Sequence, residues 1–236
     1  MEFWIVEPWT KVLPGLLNLF LKSNCALCQR PTPDSLCPHC QRKLQRCQLS
    51  SSDRVFPGSP PLLAWGSYSN TLKQVLAALK YNHQPHLAQP LGHWLGQAWL
   101  QSPLASAIAP SSSRRLCPTV VPIPLHKTRQ QQRGYNQAEL LAQSFCQIAR
   151  LPLQRQGLER IRATEAQFGL SPAARTQNLA NAFRLSKKLQ QHPPTTVILL
   201  DDIYTTGATV NAAVQMLQKK GIEVYSIVAV AKAMRQ

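Results

Sequence analysis

The sequence predicts an α/β fold, a parallel sheet flanked by helices, with a small N-terminal four-cysteine zinc module. Three observations carry this. The apolar runs at 195–200 and 223–230 are continuous rather than alternating, which marks strands buried on both faces. Helical patterns separate the strand-like runs, as crossover connections in a parallel sheet require. Four of the seven cysteines fall within 16 residues, in two CxxC pairs. The 236 residues suffice for one α/β domain of ordinary size plus an appendage, and 44% are apolar, enough for a core.

Taken in order, residues 1–48 hold an apolar segment and the cysteine module. The segment 12–21 is broken by Pro14, Gly15 and Asn18 and is too short to span a bilayer. It also lacks the basic start and small-residue cleavage site of a signal peptide, so it reads as a short amphipathic helix docked on the protein itself. A cytoplasmic chain with no membrane span is expected. Residues 49–61, rich in Ser, Pro and Gly, read as a linker to a domain at 62–236. That domain opens with a strand, LLAWGSY, and a helix at 71–80 with apolar positions at Leu72, Val75, Leu76 and Leu79. A second helix is expected at 87–100, a loop at 101–118, and a β-branched strand at 119–123 ended by the Pro122-x-Pro124 pair. Helical spacing returns at 137–149, whereas 153–186 is rich in Arg and Gln with weak periodicity. The strand at 195–200, a helix at 209–219 with Gly221 as its C-cap, and the strand at 223–230 complete the chain. There are no internal repeats.

The charge is uneven: 26 basic against 10 acidic side chains give +16, and residues 111–236 alone hold 17 and 6 of them. Such a balance suits a polyanionic partner, a site for one small polyphosphate, or a solvated cationic surface. Only 7% of residues are aromatic, and no aromatic-basic interleaving stands out, which argues against a dedicated base-stacking mode.

Cys25-x2-Cys28 and Cys37-x2-Cys40 are separated by eight residues. Each pair presents two thiolates to one tetrahedral ion, and Zn²⁺ with four sulfurs leaves no position for water, so the metal is structural. So small a segment cannot bury a core alone; metal binding supplies the missing folding free energy. His39 is an inferior ligand, and Cys47, Cys117 and Cys146 read as packed residues. Arg30, Arg42, Lys43 and Arg46 form either a nucleic-acid contact or a solvated rim around the module.

The motif VILLDDIYTTGAT at 197–209 carries the most chemistry. Its apolar run sets a buried strand, whose C-terminal end is where ligands bind in open α/β sheets. Asp201 and Asp202 leave that strand, and their carboxylates suit hydroxyl donors such as a ribose diol. Thr205, Thr206, Gly207, Ala208 and Thr209 then turn into a helix, offering backbone N–H groups, hydroxyls and a positive dipole end to a phosphate.

This order closely resembles the phosphoribosyl pyrophosphate motif of type I phosphoribosyltransferases. The resemblance implies that fold, with Asp201 and Asp202 on the ribose hydroxyls as the catalytic pair and the five residues Thr205 to Thr209 on the 5-phosphate. Residues 121–142 (VPIPLHKTRQQQRGYNQAELLA), Arg160, Thr164, Gln167, Arg175, Asn178, Ala182-Phe183, Leu79-Lys80-Tyr81 and the four-cysteine module resemble the ComF family. Together they cover nearly the whole chain in order. The resemblance implies phosphoribosyl pyrophosphate with Mg²⁺ as ligand and a role in natural competence, the handling of transforming single-stranded DNA with the uptake machinery. The turn around Ile123 and Pro124 stands where a type I enzyme has its pyrophosphate loop, with Lys127, Arg129 and Arg133 adding charge. Residues 160–178 match the hood that closes type I sites, which implies Arg160 and Arg175 on the pyrophosphate. Lys80 either reaches the diphosphate or ends a solvated helix. No acceptor pocket is legible. The chain is therefore a transferase-like protein of competence, a nucleotide-salvage or amidophosphoribosyl transferase, or a non-catalytic single-strand-binding accessory protein.

Overall fold

In the computed structural model, residues 24–108, 116–162 and 182–234 are described. The segment at 12–21 and Arg175 lie outside them. Helix α1 (Pro38–Gln45) belongs to the cysteine module, and the short edge strand β1 (Val55–Phe56) follows it, inside the stretch expected as a linker. Then come β2 (Leu62–Ser67), α2 (Asn70–Tyr81), α3 (Ala88–Leu100), α4 (Pro103–Ser106) and β3 (Thr119–Pro122). Next are α5 (Lys127–Arg133), α6 (Gln137–Ala149), β4 (Leu158–Arg160), β5 (Phe183–Leu185) and α7 (Lys187–Gln191). Strand β6 (Thr196–Tyr204), helix α8 (Ala208–Gln218) and strand β7 (Glu223–Lys232) end the order.

The main sheet runs β1-β2-β7-β6-β3, parallel throughout except for β1. Alternate residues of β6 enter opposite cores. Ile198 and Leu200 join the cluster built on α2, α3 and α6, whereas Val197 and Leu199 join the cluster built on α7, α8, β4 and β5. That is the predicted α/β arrangement, and it explains why the run reads as continuous: neither face of the strand meets water. No helix among the described residues is long and apolar enough to cross a membrane.

Two differences from the predicted elements bear on the site. Strand β6 does not stop at Leu200 but continues through both aspartates to Tyr204, because β7 extends to Lys232 and supplies backbone partners for it. The period of two then holds Asp202 on the same face as Leu200, toward α2. Helix α5, KTRQQQR, is absent from the predicted elements; it buries no residue, so no apolar stripe announces it. His126 caps its start by accepting from Thr128 N, and Gly134 ends it at φ 82°. The weakly periodic stretch after α6 pairs through residues 152–154 with the free edge of β3, then forms the small β4–β5 sheet.

Helices α3 and α6 approach closely because α3 presents Gly92 and Gly96 to its partner. A Cβ at Gly92 would stand 2.5 Å from the Leu141 carbonyl oxygen, and one at Gly96 would stand 2.7 Å from Ile148 Cβ. Neither neighbour is a movable side-chain tip. A Gly92→Val substitution should therefore push the helices apart, costing about 1–3 kcal/mol as overpacking does and lowering Tm by roughly 2–12 °C. Thermal unfolding followed by circular dichroism checks this; an unchanged Tm would show that the crossing has slack.

Candidate ligand site and metal centre

At the C-terminal end of β6 the Asp202 side chain is buried, 3% exposed as a residue. A carboxylate so placed needs a countercharge. It has one: Lys80 Nζ, from the last turn of α2, lies 2.8 Å from Asp202 Oδ2, with only 18% of the lysine side chain exposed. Burial alone would discharge Lys80, but Asp202 and then Asp201 outweigh it and hold the ammonium above its usual range. Lys80 is thus neither a solvated helix end nor a free arm. Asp201 accepts a 2.8 Å hydrogen bond from the Asp202 backbone N–H. Burial first, then the neighbouring Asp202 charge, push the Asp201 carboxyl up to about 8, against the pull of Lys80.

Beyond Tyr204 the chain turns at Thr205 and Thr206, both exposed, into α8. Gly207 precedes the first helical residue with φ 78°, a left-handed conformation that favours glycine. A Cβ there would also lie 2.2 Å from the Tyr204 hydroxyl, so any side chain at this position would require the Tyr204 ring to move. No side chain caps α8 at Gly207, although Ala208 N donates to Thr206 Oγ1 at 3.4 Å. Thr209 lies half-buried in the first turn.

The turn after β3 is held against this strand end. Ile123 N donates to Leu200 O at 2.9 Å, and buried Asn136 donates from Nδ2 to Ile123 O at 3.1 Å while accepting from Ala138 N to cap α6. Pro124 leads into α5, on which Lys127 and Arg129 are exposed and Arg133 is half-buried. Arg160, on β4, bridges to His126 at the start of α5. Burial, then Arg129, lower the Arg160 guanidinium from its usual range, while Asp201 opposes them. Arg160 therefore feels both Arg129 and Asp201. A cleft of about 420 Å³ opens beside Arg160, with Pro124, Lys127, Asn136 and Arg155 also in its walls.

The structure thus gathers Asp201, Asp202, Ile123, Arg129 and Arg160 around one end of the sheet, with Thr205, Thr206, Gly207, Ala208 and Thr209 in the turn that follows β6. Arg133 instead faces the Tyr81 ring, its Cζ 5.5 Å from the centroid. Sequence reasoning missed Asn136 and the burial of Lys80. The Asn136 cap after Gly134 was a readable signal; the Lys80 partner, far along the chain, was not.

The four cysteines 25, 28, 37 and 40 come together, their sulfurs all within 4.8 Å of one another and none in a disulfide. A tetrahedral ion with Zn–S of about 2.3 Å needs sulfurs about 3.8 Å apart, so a small adjustment seats it. The donor set fits Zn²⁺, and His39 is exposed. Burial opposes ionisation of Cys25, but the backbone of Cys37, Cys28 and Leu27 outweighs it and brings that thiol down to about 6. Burial and the neighbouring sulfurs push Cys40 up.

A mostly parallel α/β sheet with an acidic pair and a glycine-started helix at one strand end, joined to a four-cysteine module, defines the class of this protein. No family model matches the chain. It is 30% identical over 222 residues to competence protein F of Haemophilus influenzae, covering 93% of this chain and 94% of that protein. It is 29% identical over 202 residues to the DNA utilization protein YhgH of Escherichia coli K12, covering 84% and 85%. A shorter match, 36% over 102 residues, covers 43% of this chain and 39% of competence protein ComFC of Bacillus subtilis. The chain belongs to the ComF family.

Two outcomes are expected. Asp201 is harder to ionise in the folded chain than in the unfolded one, so its cost to stability is absent below about pH 4 and complete above about pH 8. Asp201→Asn should raise Tm at pH 8 more than at pH 5, and equal shifts at both would contradict the assignment. Cys28→Ser should lower bound zinc well below one ion per chain and lower Tm, as should acidification, because protons compete for the thiolates. Metal analysis alongside thermal unfolding checks both.

Proposed function

We propose that this chain binds phosphoribosyl pyrophosphate at the C-terminal end of β6 and acts in natural competence, in the cytoplasmic handling of transforming single-stranded DNA. The observation that carries the first half is the meeting of two unlike chemistries on one strand end. An acidic pair sits at Asp201 and Asp202, and a turn of exposed Thr205 and Thr206 leads through Gly207 into α8, which begins at Ala208. In this reading Thr205, Thr206, Gly207, Ala208 and Thr209 hold the 5-phosphate through backbone N–H groups and hydroxyls. Asp201, the less buried carboxylate, takes the ribose hydroxyls, and Asp202 positions Lys80, whose charge serves the diphosphate. Ile123, Pro124, Lys127, Arg129 and Arg160 form the diphosphate side, with Arg133 and Arg175 assigned there from sequence alone.

Mg²⁺ bound with the diphosphate would neutralise its charge. Asp201 and Asp202 are the residues fit to hold that ion through water, because burial and mutual repulsion leave Asp201 short of positive charge. The same carboxylates would stabilise an oxocarbenium-like centre if a ribosyl group is transferred. Residues 62–236 are the phosphoribosyltransferase-like domain of this reading, 1–48 the zinc module, and 49–61 the segment joining them. The second half rests on the relatives: those that span most of the chain are a competence protein and a DNA utilization protein.

The test is ligand-induced stabilisation. At a hundredfold excess over Kd, phosphoribosyl pyrophosphate with Mg²⁺ should stabilise the folded chain by about 2.7 kcal/mol, a Tm rise of roughly 5–10 °C. Gly207→Val should abolish the rise, since its side chain would meet Tyr204 and fill the phosphate turn. No rise in the wild-type chain at millimolar ligand would overturn the reading.

A further inference from the structure

The ring of Tyr81 is the feature that the ligand site does not absorb. A tyrosine at the end of an amphipathic helix would ordinarily fold its ring back onto apolar neighbours, yet Tyr81 is 72% exposed. It is nevertheless held in place from several sides. It is the last residue of α2, directly after Lys80, whose ammonium is fixed on Asp202. The Tyr135 hydroxyl donates to Leu79 O at 2.5 Å, tying the end of α2 to the turn between α5 and α6. Arg133, which itself donates to Gln137 Oε1, stacks its guanidinium against the Tyr81 ring, 5.5 Å from the centroid. One face of the ring is thus backed by a cation. Exposure of this extent with one face covered leaves the other to solvent.

We infer that the Tyr81–Arg133 pair is a shelf on which a nucleobase of a single-stranded nucleic acid stacks at the mouth of the strand-end site. An aromatic face binds an unpaired base through its π-surface whatever the sequence, and a cation behind the ring strengthens the contact. The same helix supplies what the rest of a nucleotide needs: Lys127 and Arg129 are exposed on α5, within two turns of Arg133, and α5 has no acidic residue. A chain with 26 basic and 10 acidic side chains adds general attraction for the strand. A base pair in a duplex cannot present its face to one ring, so the shelf selects single strands. The inference rests on the nucleic-acid half of the proposed function; it shares Lys127, Arg129 and Arg133 with the phosphoribosyl half, but Tyr81 belongs to the shelf alone.

The experiment uses the full zinc-loaded chain and short fluorescein-labelled single strands, with binding followed by anisotropy over a range of salt concentrations. Phosphoribosyl-pyrophosphate stabilisation is measured in parallel. Tyr81→Ala and Tyr81→Leu should weaken strand binding about 5- to 100-fold, the worth of one stacked base, with the salt dependence unchanged because no phosphate contact is lost. Tyr81→Phe and Tyr81→Trp should retain affinity, and strand binding should quench the added indole of the Trp variant. All four variants should keep the ligand-induced Tm rise of the wild-type chain. Affinity of Tyr81→Ala within twofold of wild type overturns the shelf, as does a loss matched by an equal loss of ligand stabilisation, which marks a structural contact. A free nucleoside that competes as well as a strand also overturns it, by assigning the ring to a small base. A wild-type chain that binds no single strand but is stabilised by phosphoribosyl pyrophosphate sinks the shelf and leaves the ligand site standing. The reverse result retains the shelf and removes the ligand site.

Discussion

The ion pair between Lys80 and Asp202 sets the geometry on which the candidate site depends. A carboxylate at the end of a strand buried on both faces cannot stay ionised without a partner, and a lysine four-fifths buried cannot either. Each group therefore requires the other, and the pair pins the end of α2 to the end of β6. Removing one partner alone would leave an uncompensated buried charge, at a cost of about 3–5 kcal/mol. The pair also shapes its neighbour: burial and the nearby Asp202 charge push Asp201 toward its neutral form.

Much of the fold was legible because burial on both faces leaves a plain trace. Val197, Ile198, Leu199 and Leu200 alternate between two cores, so no polar residue interrupts the run, and the β-branched stretch of β3 repeats the pattern beside it. The helices α2, α3 and α6 each bury one stripe and were readable at helical period. What escaped was structure made without apolar pattern. Helix α5 buries nothing, and β4 and β5 are three-residue strands containing Glu159, Arg160 and Arg184, joined in part by the ion pair between Arg184 and Glu159. Their order comes from caps, edge pairing and charge.

The candidate site divides the same way. Asp201, Asp202 and the turn to α8 are contiguous in sequence, so their chemistry was visible in one motif. Lys80, Tyr81 and Arg133 come from separate segments, and only packing shows that one lysine is buried and one tyrosine is not. The low aromatic content argued against base stacking when counted over the chain. A count has no access to geometry: the proposed shelf needs a single ring, exposed and backed by a guanidinium.

The cysteine module is joined to this site through α2. Cys25, Leu36, Cys37, Cys40 and Leu44 belong to the same apolar cluster as α2 and α3, so the module is part of the core and not a separate bead. Its exit segment pairs with β2 through Leu49 N to Trp65 O and Ser67 N to Cys47 O, and Ser69, the N-cap of α2, follows directly. Helix α2 then spans 12 residues, about 18 Å, to Lys80 and Tyr81. Its first turn is anchored near the module and its last turn on Asp202. The basic residues Arg42, Lys43 and Arg46 of the module and the Tyr81–Arg133 ring pair consequently stand near opposite ends of one rigid element. A structural zinc ion in such a position would do more than fold its own loop: it would fix the start of the helix whose end carries Lys80 to Asp202.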